Sequence, residues 1–438
     1  MYKTIILCIT YKISIMTENS IPAASSDFEM RYTYVMYAQP DHGGGLYIAK
    51  FGSSNSIEFS GTNAAIILQN ILTELGRNDK GGSVFIKRPR TGESFDLATE
   101  VMIPNGSQNI IVESDGAEFK RIADLNCMIN TKANTGVKIF RGLRFNGNDP
   151  APTGNTGAGA PNKGISIIGG SNTIVEDCYF THFSNVHPVA AANSTNVILQ
   201  RNQIGQCGGF GSEGGCSNLQ ILNNYVFSQG LDYPIVAAGN LKKNTEVVVA
   251  GNQIPFGSNK GGGIDVVAST ATIHNNYVKD AYQHSIYVHD NHAYGGSDDP
   301  TNITISNNTL IGGGISKLGG ASITLQSGNN SVDNNVHITN NYCDKGIVLT
   351  NAKKITVANN ILNRRIYVIR GQRFVVNNNQ IYAGSNGALA VEPNANFTPI
   401  LDKLVFTNNL LEVGANTTRA IFPTGTPTNL INQNNLAL

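Results

Sequence analysis

Apolar and polar positions alternate with a period of two over most of this chain, which predicts strands rather than helices. From Gly81 onward the alternation falls into repeats: VKIFRGLRF, TIVEDCYF, VILQRNQI, LQILNNYV, VVVAGNQI, ATIHNNYV, ITISNNTL, VHITNNYC, ITVANNIL, FVVNNNQI and LVFTNNLL. Aligned on that pattern, one column holds Leu143, Cys178, Asn202, Asn224, Asn252, Asn276, Asn308, Asn341, Asn360, Asn379 and Asn409. Successive members stand 19 to 35 residues apart, so the insertions belong to loops while the strands recur. A second strand follows in most repeats, as in GISIIGG, YPIVAAG, GIDVVAS, SIYVHDN, SITLQSG, GIVLTNA, RIYVIRG and GALAVEP. Two short strands per repeat with no helix between them predict an all-β solenoid, a parallel β-helix. About eleven coils stacked at about 4.8 Å make a rod on the order of 50 Å long. The asparagine column suits a tight turn, because Asn tolerates left-handed backbone and stacked amides hydrogen-bond along the axis.

One helix is predicted, over 62–77. Ala64, Ile67, Leu68, Ile71, Leu72 and Leu75 share a face, and Thr62 or Asn63 caps its start. A lone helix with one apolar face must cover something, and the open end of the solenoid is the natural candidate. Before it, residues 29–60 alternate as short strands around the turn from Asp41 to Gly45, a small N-terminal cap or attachment region. Residues 1–28 lack periodicity and read as a disordered or processed leader. Their short apolar run is interrupted by Lys12, making a poor signal peptide and too short a span for a bilayer, which needs about 20 apolar residues. The solenoid is assigned to 61–438.

Composition supports strands and turns, with 47 glycines and only 14% charged residues. A net charge of +1 gives no electrostatic case for nucleic acid or an anionic membrane. The six cysteines show no C-x-x-C spacing; Cys207 and Cys216 flank a glycine-rich loop, where both a disulfide and free buried thiols remain open. Gly209 to Gly214 satisfies G-x-G-x-x-G, but its neighbours are solenoid strands rather than a strand and a helix, so no dinucleotide site is expected.

The Gly-Gly-x-Val strand start at Gly81, the helix before it and the Ile-x-Ile-x-Asn-Asn coils resemble the pectin-lyase-like superfamily of right-handed parallel β-helices, over roughly residues 60–438. That superfamily includes pectate and alginate lyases, mannuronan epimerases, polygalacturonases and phage tailspikes. The resemblance implies contact with carbohydrate and a place at the cell or virion surface or outside the cell, with a homotrimer in the tailspike-like case. It does not settle the chemistry.

The chemistry is sought between Gly261 and Gln326. With Ile264, Val266, Ile286, Val288, Ile323 and Leu325 inward, alternation turns Asp265, Tyr287, His289, Thr324 and Gln326 outward. Stacking aligns Asp265, Tyr287 and Thr324 in one line and Val267, His289 and Gln326 in the next. β-Elimination or C5 epimerisation of a uronic acid needs a base at C5, an acid near O4 and a partner for the carboxylate. Tyr287 and His289 are the expected acid and base, with Asp265 and His284 completing the catalytic group. Gln326, Lys260, Tyr294, Tyr367 and His292 are the expected substrate contacts. Asp265, Asp298 and Asp299 are weak candidates for calcium; zinc is less suited, since His289 and His292 straddle a strand end. A glycoside hydrolase needs two carboxylates across one bond, and the Gly-Asp-Asp pattern of the superfamily's hydrolases is missing. The competing expectation is a non-catalytic glycan-binding or structural surface protein.

Overall fold

The computed structural model describes residues 31–437 apart from 40–44, 78–79, 150–161, 184–185, 228–232, 240–241, 257–260, 293–297, 313–320, 329–332, 385–388, 393–402, 414–419 and 422–428. The leader expected at 1–28 therefore lies outside the described residues, as do Lys260 and Tyr294.

The chain winds through three parallel ladders. The first face runs from Gly82–Ile86 to Asn429–Gln433 and the second, fourteen-stranded, from Phe95–Leu97 to Leu436–Ala437. The third face runs from Val101–Met102 to Ala420–Ile421. The third and first faces belong to one 28-stranded sheet, because Ile347–Ala358 and Ile366–Asn377 continue through the corner between them. A coil thus has three strands, not the two expected. What reads in sequence as one strand, such as LQILNNYV, is Ser217–Leu222 on the first face and Tyr225–Val226 on the second, with the asparagines at the corner.

That corner divides its labour between two adjacent residues. The position before the column takes the left-handed backbone: Asp177, Arg201, Asn223, Asn275, Asn307, Asn340, Asn359, Asn378 and Asn408 all have φ between 53° and 58°. The column asparagines, expected to adopt that conformation themselves, are instead buried and form a ladder. In Asn276, for example, the backbone N–H and Nδ2 both donate to Oδ1 of Asn308, each at 3.0 Å, and Nδ2 also donates to the Val249 carbonyl at 2.9 Å. The same pattern runs from Asn202 to Asn409 and one coil further, to Asn435. Buried amides are costly unless bonded, and here each coil supplies the acceptor for its neighbour.

Apart from such bonded polar groups, the interior is apolar. Phe95, Phe119, Phe145 and Phe180 stack along the second face, with consecutive centroids 6.0, 5.7 and 5.0 Å apart. Cys207 and Cys216 are free buried thiols, so the disulfide alternative is set aside.

At the N-terminal side, β1 (Tyr34–Gln39), β2 (Leu46–Phe51) and β3 (Ile57–Gly61) form an antiparallel meander, and β1 pairs in parallel with β4 (Gly82–Ile86). The helix α1 (Ala64–Gly76) starts at Asn63, whose side chain accepts from the Ile66 N–H. Its buried face, Ala64, Ala65, Ile67, Leu68, Ile71, Leu72 and Leu75, joins the main core.

Candidate functional site

The third face positions the candidate side chains. Ile264, Val266, Ile286, Val288, Ile323 and Leu325 all point into the core, so the expected register holds. Asp265 pairs with Tyr287 and Tyr287 with Thr324 across adjacent coils, as expected. The outward side is not uniformly open. Gln326 is exposed and Asp265, His284 and Tyr287 are half-buried, whereas His289 and Thr324 are buried.

The residues form a connected cluster. His289 Nε2 stands 2.9 Å from Asp265 Oδ1, and Nδ1 contacts the Asp290 backbone carbonyl. The Tyr287 hydroxyl donates to Gln326 Oε1 at 2.8 Å. His284 Nδ1 bonds Thr324 Oγ1 at 2.8 Å, and its Nε2 has no hydrogen bond among the described residues. Both histidine rings lie against the tyrosine ring, His289 at 4.3 Å and His284 at 5.0 Å between centroids.

The proton affinities of the two histidines are shifted in opposite directions. Burial, reinforced by the nearby charge of His289, lowers His284 to about 4, leaving it neutral at pH 7. Burial also works against charge on His289, but Asp265 and the Asp290 carbonyl outweigh it and raise that group above the ordinary histidine value. Both His289 nitrogens thus face oxygen atoms, Asp265 Oδ1 and the Asp290 carbonyl, and these contacts favour its charged form. His284 is the imidazole left with an open nitrogen.

Tyr233 was not anticipated. Its ring stacks on Tyr287 at 6.2 Å and joins Val236, Ala238 and Val267 in a small apolar band outside the main core. A Cβ on Gly262 would collide with the Tyr233 ring and the His284 carbonyl, so this glycine lets the ring cross the coil. The signal was positional. Tyr233 stands three residues before outward Val236, as His284 stands three before Tyr287, and Val236 pairs with Asp265.

The remaining expected contacts lie elsewhere. Tyr367 is on the same outward line but three coils beyond Tyr287, through Thr324 and Val348, or about 14 Å away at the usual strand spacing. The Arg365 guanidinium covers its ring at 4.9 Å. His292 Nε2 is 3.7 Å from Asp299 Oδ1, and its backbone N–H donates to Asp290 Oδ1. The aspartates named for calcium have separate partners: Asp265 has His289, Asp298 has Lys243 and Asn291, and Asp299 accepts from Ser327 Oγ and the Gly328 N–H. Among the described residues, no group of three or more His, Cys, Asp or Glu side chains is arranged to hold a metal, and no helix is long and apolar enough to cross a membrane.

Residues 262–436 match the family described as a right handed beta helix region. No curated protein matches the chain by sequence. Among solved structures, a DFA-IIIase from Arthrobacter chlorophenolicus is similar with a TM-score of 0.50 and 13% identity, covering 84% of this chain and 93% of that one. The surface adhesin PfbA of Streptococcus pneumoniae has a TM-score of 0.47 and 13% identity, covering 78% and 85%. The mannuronan C-5 epimerase A-module of Azotobacter vinelandii has a TM-score of 0.45 and 14% identity, covering 85% and 90%. The fold is the right-handed parallel β-helix.

Proposed function

We propose that this right-handed β-helix protein acts on carbohydrate, as a polysaccharide lyase or C5-epimerase for a uronic-acid polymer, at the cluster around Tyr287. The observation that carries this reading is the placement of two histidines against one tyrosine ring, only one of them, His289, with a carboxylate at its imidazole nitrogen. Groups of one type whose environments push their proton affinities apart are the usual mark of acid–base assignment.

The roles follow from the hydrogen bonds. His289, its charged form favoured by Asp265, lies behind the Tyr287 ring and stabilises through space the charge that spreads onto the uronate carboxylate when C5 is deprotonated. His284 Nε2 takes the C5 proton, while Thr324 fixes the ring through Nδ1. In elimination, the C5–H electron pair forms the C4=C5 double bond and the C4–O4 bond breaks. The Tyr287 hydroxyl, oriented by Gln326, protonates the departing O4. In epimerisation, a proton returns to C5 from the opposite face and O4 stays in place. The superfamily resemblance implies the same substrate class, and Tyr233 supplies an aromatic surface of the kind that stacks on sugars.

The test is incubation with pectate, alginate and other uronate polymers, following absorbance of the unsaturated product and, in deuterated water, exchange at C5. Turnover that disappears in Tyr287→Phe and His284→Gln is expected. Absence of both signals across the panel, with glycan nevertheless retained, would sink the enzymatic reading in favour of a binding protein.

A further inference from the structure

The first face turns a column of β-branched residues outward. Ile110 and Val112 point into the core, so Ile111 points out, and the ladder aligns Ile139, Ile174 and Ile198 with it on the next three coils. At the far end Val375, Val405 and Ile431 close the same column. Between these ends every member is valine or threonine except Gln220 and His337, which leaves His337 as the one titratable group in the column. The aliphatic members are half-buried or exposed, never buried. Strand propensity by itself favours β-branched residues on any outward column, yet the second face sets Gln203, Tyr225, Gln253 and Tyr277 outward on successive coils. The aliphatic column is therefore particular to the first face.

Charged side chains flank this column. Two residues after its N-terminal members, Arg141 bridges Glu113 at 3.4 Å and Glu176 at 2.6 Å. Two residues before its C-terminal members, Lys354 and Arg373 stand 2.6 and 4.0 Å from Asp333. An uncharged strip with a charged rim is the anatomy of a protein–protein contact. The strip also has the size of one. Twelve coil steps from Ile111 to Ile431 cover about 58 Å, and three outward positions along a strand about 13 Å, a face of roughly 750 Å². A stable contact hides about 800 Å² on each partner. Side chains stacked at the coil spacing form regular ridges, and the surface that matches such ridges in period and chemistry is a second strip of the same kind.

We propose that two copies of this chain pair through their first faces, column against column, about a two-fold axis. A patch that meets its own copy closes at two, whereas a three-fold ring needs two different patches on each copy. The assembly is then a homodimer, not the homotrimer of the tailspike-like case. The contact leaves the third face and the Tyr287 cluster outside it, so both copies keep that site open, and the pairing does not depend on the carbohydrate reading of the site.

The experiment is sedimentation velocity of the full chain at micromolar concentration, with melting temperatures, for the wild type, Ile174→Lys, Thr272→Lys and Thr309→Lys. Thr272 lies midway along the column, and Thr309 is an outward position of the second face. Wild type and Thr309→Lys should sediment as two chains. Each column substitution enters a two-fold contact twice and puts an ammonium group into its dry centre, so both column variants should weaken the dimer at least about 100-fold and sediment as one folded chain. Thr272→Lys removes no aliphatic side chain, and it decides the matter by itself if Ile174→Lys does not fold. A wild type that is monomeric or trimeric would overturn the proposal, as would a dimer that survives in Thr272→Lys. Dissociation of Thr309→Lys to the same extent would overturn the assignment to the first face.

Discussion

His284 and His289 stand against one tyrosine, yet only His289 has a carboxylate at its imidazole nitrogen, and that difference controls how the site responds to pH. His284 must be neutral to act as a base, so activity should fall on an acid limb near its value of about 4. His289 must be charged, so a second limb should appear above the ordinary histidine value. A pH–rate profile of kcat/KM checks both limbs, and His284→Gln should cut kcat by about 10²- to 10⁴-fold, the range for loss of a general base. Stability should carry the same signature. Between about 4 and 6.5 the unfolded chain binds the His284 proton that the native chain refuses, so this histidine's contribution is intact above that window and lost as pH falls through it. His289 behaves oppositely: its contribution is complete below the unfolded value and lost as pH rises past its raised native one. Thermal melts of the two His→Gln variants against pH should therefore lose slopes of opposite sign.

At the scale of the element, the corner of most coils from Asn223 onward depends on two asparagines with separate tasks. Replacing Asn276 with Ala removes the acceptor for both donors of Asn252 and should cost about 1–3 kcal/mol per group left unsatisfied. The same change at Asn435, where the ladder ends and the corner is more exposed, should cost less. Asn275→Ala places a Cβ-bearing residue of poor left-handed tolerance at φ 56° and should cost about 1–2 kcal/mol, whereas Asn275→Gly should be close to neutral. Urea denaturation distinguishes the cases. Equal losses at positions 275 and 276 for Ala and Gly alike would contradict the division of labour.

For the whole molecule, stacked coils make stability a sum over neighbours, so a local lesson at one end should not be felt equally at the other. Leu68→Ala opens a cavity where α1 meets the first coils and should cost about 2–5 kcal/mol. Hydrogen exchange should quicken in the strands nearest the helix, Gly82–Ile86 and Phe95–Leu97, more than in Val336–Thr339 or Lys403–Thr407. Uniform acceleration along the rod would show a single cooperative unit instead.

The sequence alone determined that the chain is a β-helix, where α1 lies, and which residues of Gly261 to Gln326 face outward, because strand alternation and coil recurrence are local and periodic. It located the Asp265, Tyr287 and His289 group for the same reason: register follows from the inward isoleucines and valines. The third strand of each coil escaped it, since a two-residue strand after Asn-Asn has too few positions to show a period. Charge assignment also escaped it. Only the folded contacts give His289 two oxygen partners and leave His284 with one, so only the tertiary structure sets the opposite directions in which their proton affinities move. Likewise Tyr233 and Tyr287 belong to different coils separated by irregular loops, and although Tyr233 precedes Val236 as His284 precedes Tyr287, the two rings meet only once the coils are stacked.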